Sequence, residues 1–440
     1  MRPIEIKGFN GIVNTAPSSR LKPGDLVECY NFFISDDGAL LSRTGSELKV
    51  TGLVHSLWSD GDICLYRLSD GLYLFDSGGT STLIRGGLTT PLPMSYTSLA
   101  GTVYYCDVVA NGIIESGINR TWGLPVPVGF SATVWGGSGT LLKGLYRVTL
   151  SHLRNDGQQS GTGVPIEVNI PTDTGGIAIT AITHPSDPII VGWVGYVSPR
   201  NGKELYRCGA YLPIVVGSDS MVGSSILNSE LYELLPTSQL EPPPMGTIVK
   251  TFGGRVYVAV GNYLYYSEIY SAELFNPYNF LPFEAPITMI APYNAGIIVG
   301  TTEATYLLQG MAPEPQPFLR TLFAPYGVIK GTPAYVSIKH SHWQNGWLWA
   351  STRGICFCNE DGLLFNLTEK NYQYVYPNNM EGSGVVYYHD GFISYVVTLQ
   401  GYNTEAFNIY VSDAVGAVSA PTLETIPSMS GEIILPALIM

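Results

Sequence analysis

The stretch TIVKTFGGRVYVAVGNYLYYSE, Thr247–Glu268, decides the fold. It holds three six-residue runs rich in Val, Ile and Tyr, separated by Gly253-Gly254 and by Gly261-Asn262. β-Branched and aromatic side chains suit a pleated, half-buried strand. Two-residue turns built on glycine reverse the chain between antiparallel neighbours. The segment therefore predicts a meander of short strands.

The same pattern repeats outward in both directions. Towards the C-terminus, units begin near Pro286 (ITMIAP, GIIVGT, ATYLLQ), Gly331 (AYVSIK, GWLWAS, GICFCN, GLLFNL) and Gly382 (VVYYHD, FISYVV). Towards the N-terminus they begin near Pro93 (MSYTSL, TVYYCD, NGIIES) and Gly52 (LVHSLW, ICLYRL, GLYLFD). With one exception the steps between units run from 40 to 51 residues. Three or four short strands at this period predict an all-β protein, a β-propeller of about six blades, because each unit is too small to cover both its faces and must stack on its neighbours. An irregularly spaced β-sandwich is the competing reading. Cys29–Ser35, the turn residues Asp36, Asp37 and Gly38, and Ala39–Gly45 predict a further hairpin, placed to close the ring against the last blade.

The exceptional step, Pro93 to Gly246, is 153 residues and leaves about 112 beyond one period. That is the size of one immunoglobulin- or fibronectin-like sandwich. GLYRVTLSHL, the turn Asn155-Asp156-Gly157, VPIEVNI, GIAITAI, IIVGWVGYV and KELYRCGAYL supply its short strands. Pro125 and Pro127 lead in and Pro242-Pro243-Pro244 lead out, since proline runs interrupt sheets. The predicted organisation is an arm and hairpin (1–51), blades (52–124), an inserted sandwich (125–245), further blades (246–420) and a tail (421–440).

Charged residues are only 13% of the chain and aromatics 12%, with 50 glycines, a balance of packed β-structure and tight turns. The net charge of −13, with no cluster of Lys and Arg, argues against adhesion to nucleic acid through a basic surface. No run approaches the ~18 apolar residues that cross a bilayer. Met1–Val13 lacks the apolar core of a secretory signal, so a mature chain from Met1, made in a reducing cytoplasm, is expected. Cys29, Cys64, Cys106, Cys208, Cys356 and Cys358 are then free thiols.

Motifs of chemistry are sparse. No phosphate loop, no G-x-S-x-G elbow and no sialidase Asp-box occurs. Asp36, Asp37, Asp60, Asp62, Glu360 and Asp361 sit in turns, where a carboxylate caps its own backbone. The nearest metal set joins His340 and His342 to Cys356 and Cys358, two i, i+2 pairs that each face one side of a strand. A flat Cys-x-Cys on an apolar strand reads instead as core packing. Trp343, Trp347 and Trp349 suit a sugar platform or, by their alternation, blade core. The expectation is a protein without catalytic residues, metal or cofactor, and not an enzyme.

The opening Ile6-Lys7-Gly8-Phe9-Asn10-Gly11-Ile12, then Leu21 and Pro23, Cys29–Phe33, and the turn Asp37-Gly38-Ala39-Leu40 before Arg43-Thr44-Gly45 resemble the start of the tail nozzle proteins of short-tailed bacteriophages. LYRVTLSHLRNDGQQSG, GKELYRCG, GGRVYVAVGNYLYYSE and GIIVGTTEATYLLQG are similar to later parts of that family. The resemblance implies a structural virion protein of the tail. It implies assembly as a homo-oligomeric ring, a hexamer, that contacts the tail adaptor and the fibre or spike proteins. DNA would pass through the ring transiently, without specific binding. An acidic lumen would repel phosphate and let DNA slide. The alternative is a propeller-type receptor- or glycan-binding adhesion module. In the tail, Ile433, Ile434, Leu435, Leu438 and Ile439 form an apolar run expected to be buried against a neighbouring subunit or, in the other reading, on its own propeller.

Overall fold

The three runs of Thr247–Glu268 fold as strands Ile248–Phe252, Arg255–Val260 and Tyr263–Glu268. Val256, Tyr257 and Val258 are all buried, so both faces of the middle strand are covered, as stacking between sheets requires. A fourth strand, Ser271–Pro282, completes the meander. The computed structural model describes residues 8–29, 32–35, 37–42, 49–89, 92–136, 139–182, 187–208, 212–213, 221–223, 233–313, 317–337, 345–371, 380–389, 392–400, 433–434 and 438–439.

Six four-stranded antiparallel sheets of this kind occur among the described residues. In chain order, blade 1 is Val54–Ser59, Cys64–Leu68, Gly71–Phe75 and Ser81–Arg85; blade 2 is Ser95–Leu99, Thr102–Cys106, Asn111–Glu115 and Ile118–Arg120. Blade 3 is the meander of Ile248–Pro282. Blade 4 is Ile287–Tyr293, Gly296–Thr301, Thr305–Gln309 and Leu319–Ala324; blade 5 is Ala334–Val336, Gly346–Ser351, Gly354–Asn359 and Leu364–Asn366. Blade 6 joins Glu381–His389 and Phe392–Gln400 to two short pieces, Ile433–Ile434 and Leu438–Ile439, which pair along one edge of Phe392–Gln400.

First strands pack against first strands. Between blades 2 and 3, Thr97 Oγ1 lies 3.2 Å from Thr251 Oγ1, and the Val249 N–H donates to Ser95 Oγ at 3.1 Å. Blades 5 and 6 also meet through their first strands, beside a 2.9 Å contact of Lys330 Nζ with Glu381 Oε1. Successive meanders packed in this way make the fold a β-propeller.

Between blades 2 and 3, two sheets share one core. Ser131–Val134, Ile177–Thr180 and Met221–Gly223 form the first; Ile166–Ile170, Gly144–Arg154 and Ile190–Val197, with Tyr206–Arg207 and Leu212–Pro213, form the second. Ile177 and Ile179 of the first sheet interleave with Val148, Leu150, Val168 and Trp193 of the second, which defines a β-sandwich. The chain groups into two compact units. Residues 52–282 hold blades 1 to 3 with the sandwich; residues 1–51 and 283–440 hold the arm with blades 4 to 6.

Candidate interaction surface

Three stretches of the arm, around Gly8–Ile12, Gly24–Leu26 and Gly38, converge in one knot. The Phe9 N–H donates to the Gly38 carbonyl and the Asn10 N–H to the Gly24 carbonyl, both at 2.8 Å. Gly11–Ile12 then runs parallel to Asp25–Leu26, and Asn10 Nδ2 donates to Asp25 Oδ1 at 3.1 Å. Both crossing points demand glycine. Gly24 has φ +99°, and a Cβ there would lie 2.4 Å from the Gly8 carbonyl oxygen. Gly38 has φ +80°, and its Cβ would lie 3.0 Å from Gly8 Cα.

The Ser35 hydroxyl bonds to the Asp37 carboxylate and, with the Ala39 N–H, holds Asp37 below the usual carboxylate range. The knot docks where the chain leaves blade 5: the Asn14 N–H donates to the Asn371 carbonyl and Thr15 Oγ1 to the Lys370 carbonyl, each at 3.0 Å. Val27, Phe32 and Leu41 of the arm stay about half exposed. Apolar side chains on a hydrogen-bonded frame suit contact with another protein.

A second surface lies where turns of blades 4 and 5 meet. The Trp347 indole N–H donates to the Pro292 carbonyl at 2.6 Å, and its ring meets Tyr335 edge-on at 5.4 Å. The Tyr335 hydroxyl donates to Glu360 Oε1 at 2.5 Å, while Asn294 Nδ2 donates to Glu360 Oε2 at 3.1 Å. Burial, then the Glu360 carboxylate, push Tyr335 up to about 12, so its hydroxyl keeps its proton. Tyr335 is 42% exposed. Amide, carboxylate, phenol and ring edges in one place offer hydrogen bonds and stacking to a sugar or a peptide.

Buried charges in residues 52–282 are joints. Arg67 and Asp107 are fully buried and 3.5 Å apart, and Arg67 Nη2 also donates to the Thr89 carbonyl at 3.1 Å. Arg154, in the sandwich, reaches Glu273 of blade 3 at 2.6 Å and forks onto Asp156 at 2.6 and 2.9 Å. Glu273 Oε2 also accepts from the Gly123 N–H at 3.2 Å. Burial pulls Arg154 down, but its bonds to Asp156 and Glu273 outweigh that and hold it charged. Such groups fix the sandwich to the blade and are occupied in doing so.

No family model matches the chain, and no curated protein does. Among solved structures, BBS1N in complex with ARL6DN is 11% identical with a TM-score of 0.32, covering 80% of this chain and 91% of that one. The N-terminal domain of Nup159 is 10% identical with a TM-score of 0.27, covering 83% and 77%. At these scores the likeness carries no argument about function.

The other residues singled out in the sequence are scattered. Cys356 and Cys358 do share one face, packed with Trp349, Met289 and Ile298 in a blade core. Burial pushes these thiols up to about 11 and about 12. His340, His342 and Trp343 lie outside the described residues. Trp349 is core, and Trp347 belongs to the surface beside Glu360. Ile433, Ile434, Leu438 and Ile439 pair by backbone with Leu399, Thr398, Tyr395 and Ser394 of the same chain, and Leu435 lies outside the described residues. Among the described residues no three His, Cys, Asp or Glu side chains are grouped to hold a metal ion, and no helix is long and apolar enough to cross a membrane.

Sequence reasoning missed the Arg154–Glu273 joint and the Asn294–Glu360 pair. Each partner is a lone polar residue in a strand or turn. Their separations of 119 and 66 residues leave no local pattern to find.

Proposed function

We propose that the chain is a structural virion protein of a bacteriophage tail, of the nozzle type. It assembles as a homo-oligomeric ring, a hexamer, forming part of the DNA ejection conduit and a docking surface for adaptor, fibre or spike proteins. It is made in the host cytoplasm, and the sandwich is its immunoglobulin-like insertion. The observation that carries this reading is the arm. Gly8, Phe9, Asn10 and Gly38, from the segments that resemble the family, meet with Gly24 in a single built knot with apolar side chains on the arm's surface.

The role is not enzymatic. Glu273 and Asp107 are spent on arginines, and burial keeps the thiols of Cys356 and Cys358 protonated. The net charge of −13 per chain favours a conduit that does not hold DNA.

Mass spectrometry of purified virions tests the reading. The chain is expected in several copies per particle; its absence from virions that carry their other tail proteins would retire the proposal. The surface of Tyr335, Trp347, Asn294 and Glu360 favours one second reading, a receptor- or glycan-binding module. Under that reading Tyr335→Ala weakens binding on a glycan array, whereas under the first no glycan is retained.

A further inference from the structure

The sixth blade differs from the other five in how its outer strand arrives. In blades 1 to 5 the fourth strand follows the third after two to nine residues. In blade 6 the outer pieces Ile433–Ile434 and Leu438–Ile439 follow Gln400 after 32 residues. They pair only through Thr398↔Ile434, Leu399↔Ile433, Ser394↔Ile439 and Tyr395↔Leu438. Pro436 stands between the two pieces and has no N–H to add to the ladder.

The receiving strand cannot move to meet them. Tyr395, Val397 and Leu399 are buried in a core with Val336, Leu348 and Phe357 of blade 5. Without an outer partner, Ser394–Leu399 would present an unpaired edge, which recruits any available strand. The requirement is for a strand, and which subunit supplies it is left to geometry.

We propose that Ile433–Ile434 and Leu438–Ile439 are exchanged between neighbouring subunits, each completing the sixth blade of the next; this rests on the ring assembly proposed above. A 32-residue connection can span at most roughly 100 Å. Chain length therefore does not confine the outer pieces to their own sheet. In a closed ring every subunit gives one outer strand and receives one, so exchange preserves every ladder bond while converting those bonds into subunit contacts. A short connection like those of blades 1 to 5 confines its strand to its own sheet. The long one removes that restriction.

The test uses the full-length chain in two differently tagged forms, Thr398→Cys and Ile434→Cys, produced together and oxidised. Directly opposed residues of an antiparallel pair suit a disulfide, and neither variant alone holds both new thiols. Exchange predicts a doubly tagged, disulfide-linked band at twice the 47.6 kDa chain mass, absent when either variant is paired with wild type. Ser394→Cys with Ile439→Cys is the second pair, and Ser394→Cys is nearly isosteric. Mass photometry of each sample separates the two ideas. A chain carrying both Thr398→Cys and Ile434→Cys is the control: an intact ring in which this chain crosslinks only within itself and the mixed single variants give no linked band overturns exchange and leaves the ring; a protein that is monomeric throughout overturns both.

Discussion

The sandwich and the arm are fastened to their blades by opposite means. The sandwich joins blade 3 through Arg154 and Glu273, both at least nine-tenths buried, with Gly161 packed against the Leu240 backbone close by. Among the described residues, the arm reaches the end of blade 5 through exposed hydrogen bonds at Asn14 and Thr15. A buried ion pair is rigid because separating it strands a charge. Exposed hydrogen bonds can be traded for water at little cost. The sandwich is thus a fixed part of its unit, while the arm is a preformed module whose docking another protein can strengthen or replace.

The largest expected effect tests the fixed joint. Glu273→Ala removes Arg154's partner across the junction while Asp156 still holds the guanidinium, so the expected cost is about 1.5–3 kcal/mol. Urea unfolding followed by tryptophan fluorescence reads this. Arg154→Met with Glu273→Leu should recover much of the loss, and an unchanged midpoint for Glu273→Ala would mean that the joint bears no strain.

Lys250 gives the next test, at the contact of blades 2 and 3, where its Nζ donates to the Tyr96 carbonyl at 3.2 Å. Burial lowers its pKa to about 8, partly opposed by Cys106. The folded protein therefore sheds this proton before the unfolded chain does. Its contribution makes stability rise with pH from about 8 towards the value of an unfolded lysine. Lys250→Met should flatten that rise. An equal slope in both proteins would assign the effect to other groups.

The smallest effect on global stability belongs to the arm. Gly24→Ala forces a Cβ into the Gly8 carbonyl, so hydrogen exchange across residues 8–29 should quicken while the main unfolding midpoint barely moves. A large loss of global stability would show the arm to be as integral as the sandwich and would erase the contrast.

Much of this architecture is legible in the sequence. The Gly-turned runs of Thr247–Glu268 have local signals for both strand and turn, and their period exposes the sheets on either side of the sandwich. The fourth strands were harder. Ser271–Pro282 contains Pro277 and register shifts, and Ser81–Arg85 lies mostly exposed, so neither shows clean alternation. Only Leu364–Asn366, within the apolar GLLFNL run, was readable as such. Gly8 and Gly38 stand in a quotable motif and Gly24 does not, and the reason for both Gly24 and Gly38, contact with Gly8 from 16 and 30 residues away, is a tertiary fact. The apolar run near Ile433 signals a need for burial without naming the edge that provides it.

Electron microscopy of the purified full-length chain tests the central claim most directly. The account predicts closed rings of six subunits around an open lumen. Particles that remain single propellers at every concentration, or that grow as open filaments, would contradict it.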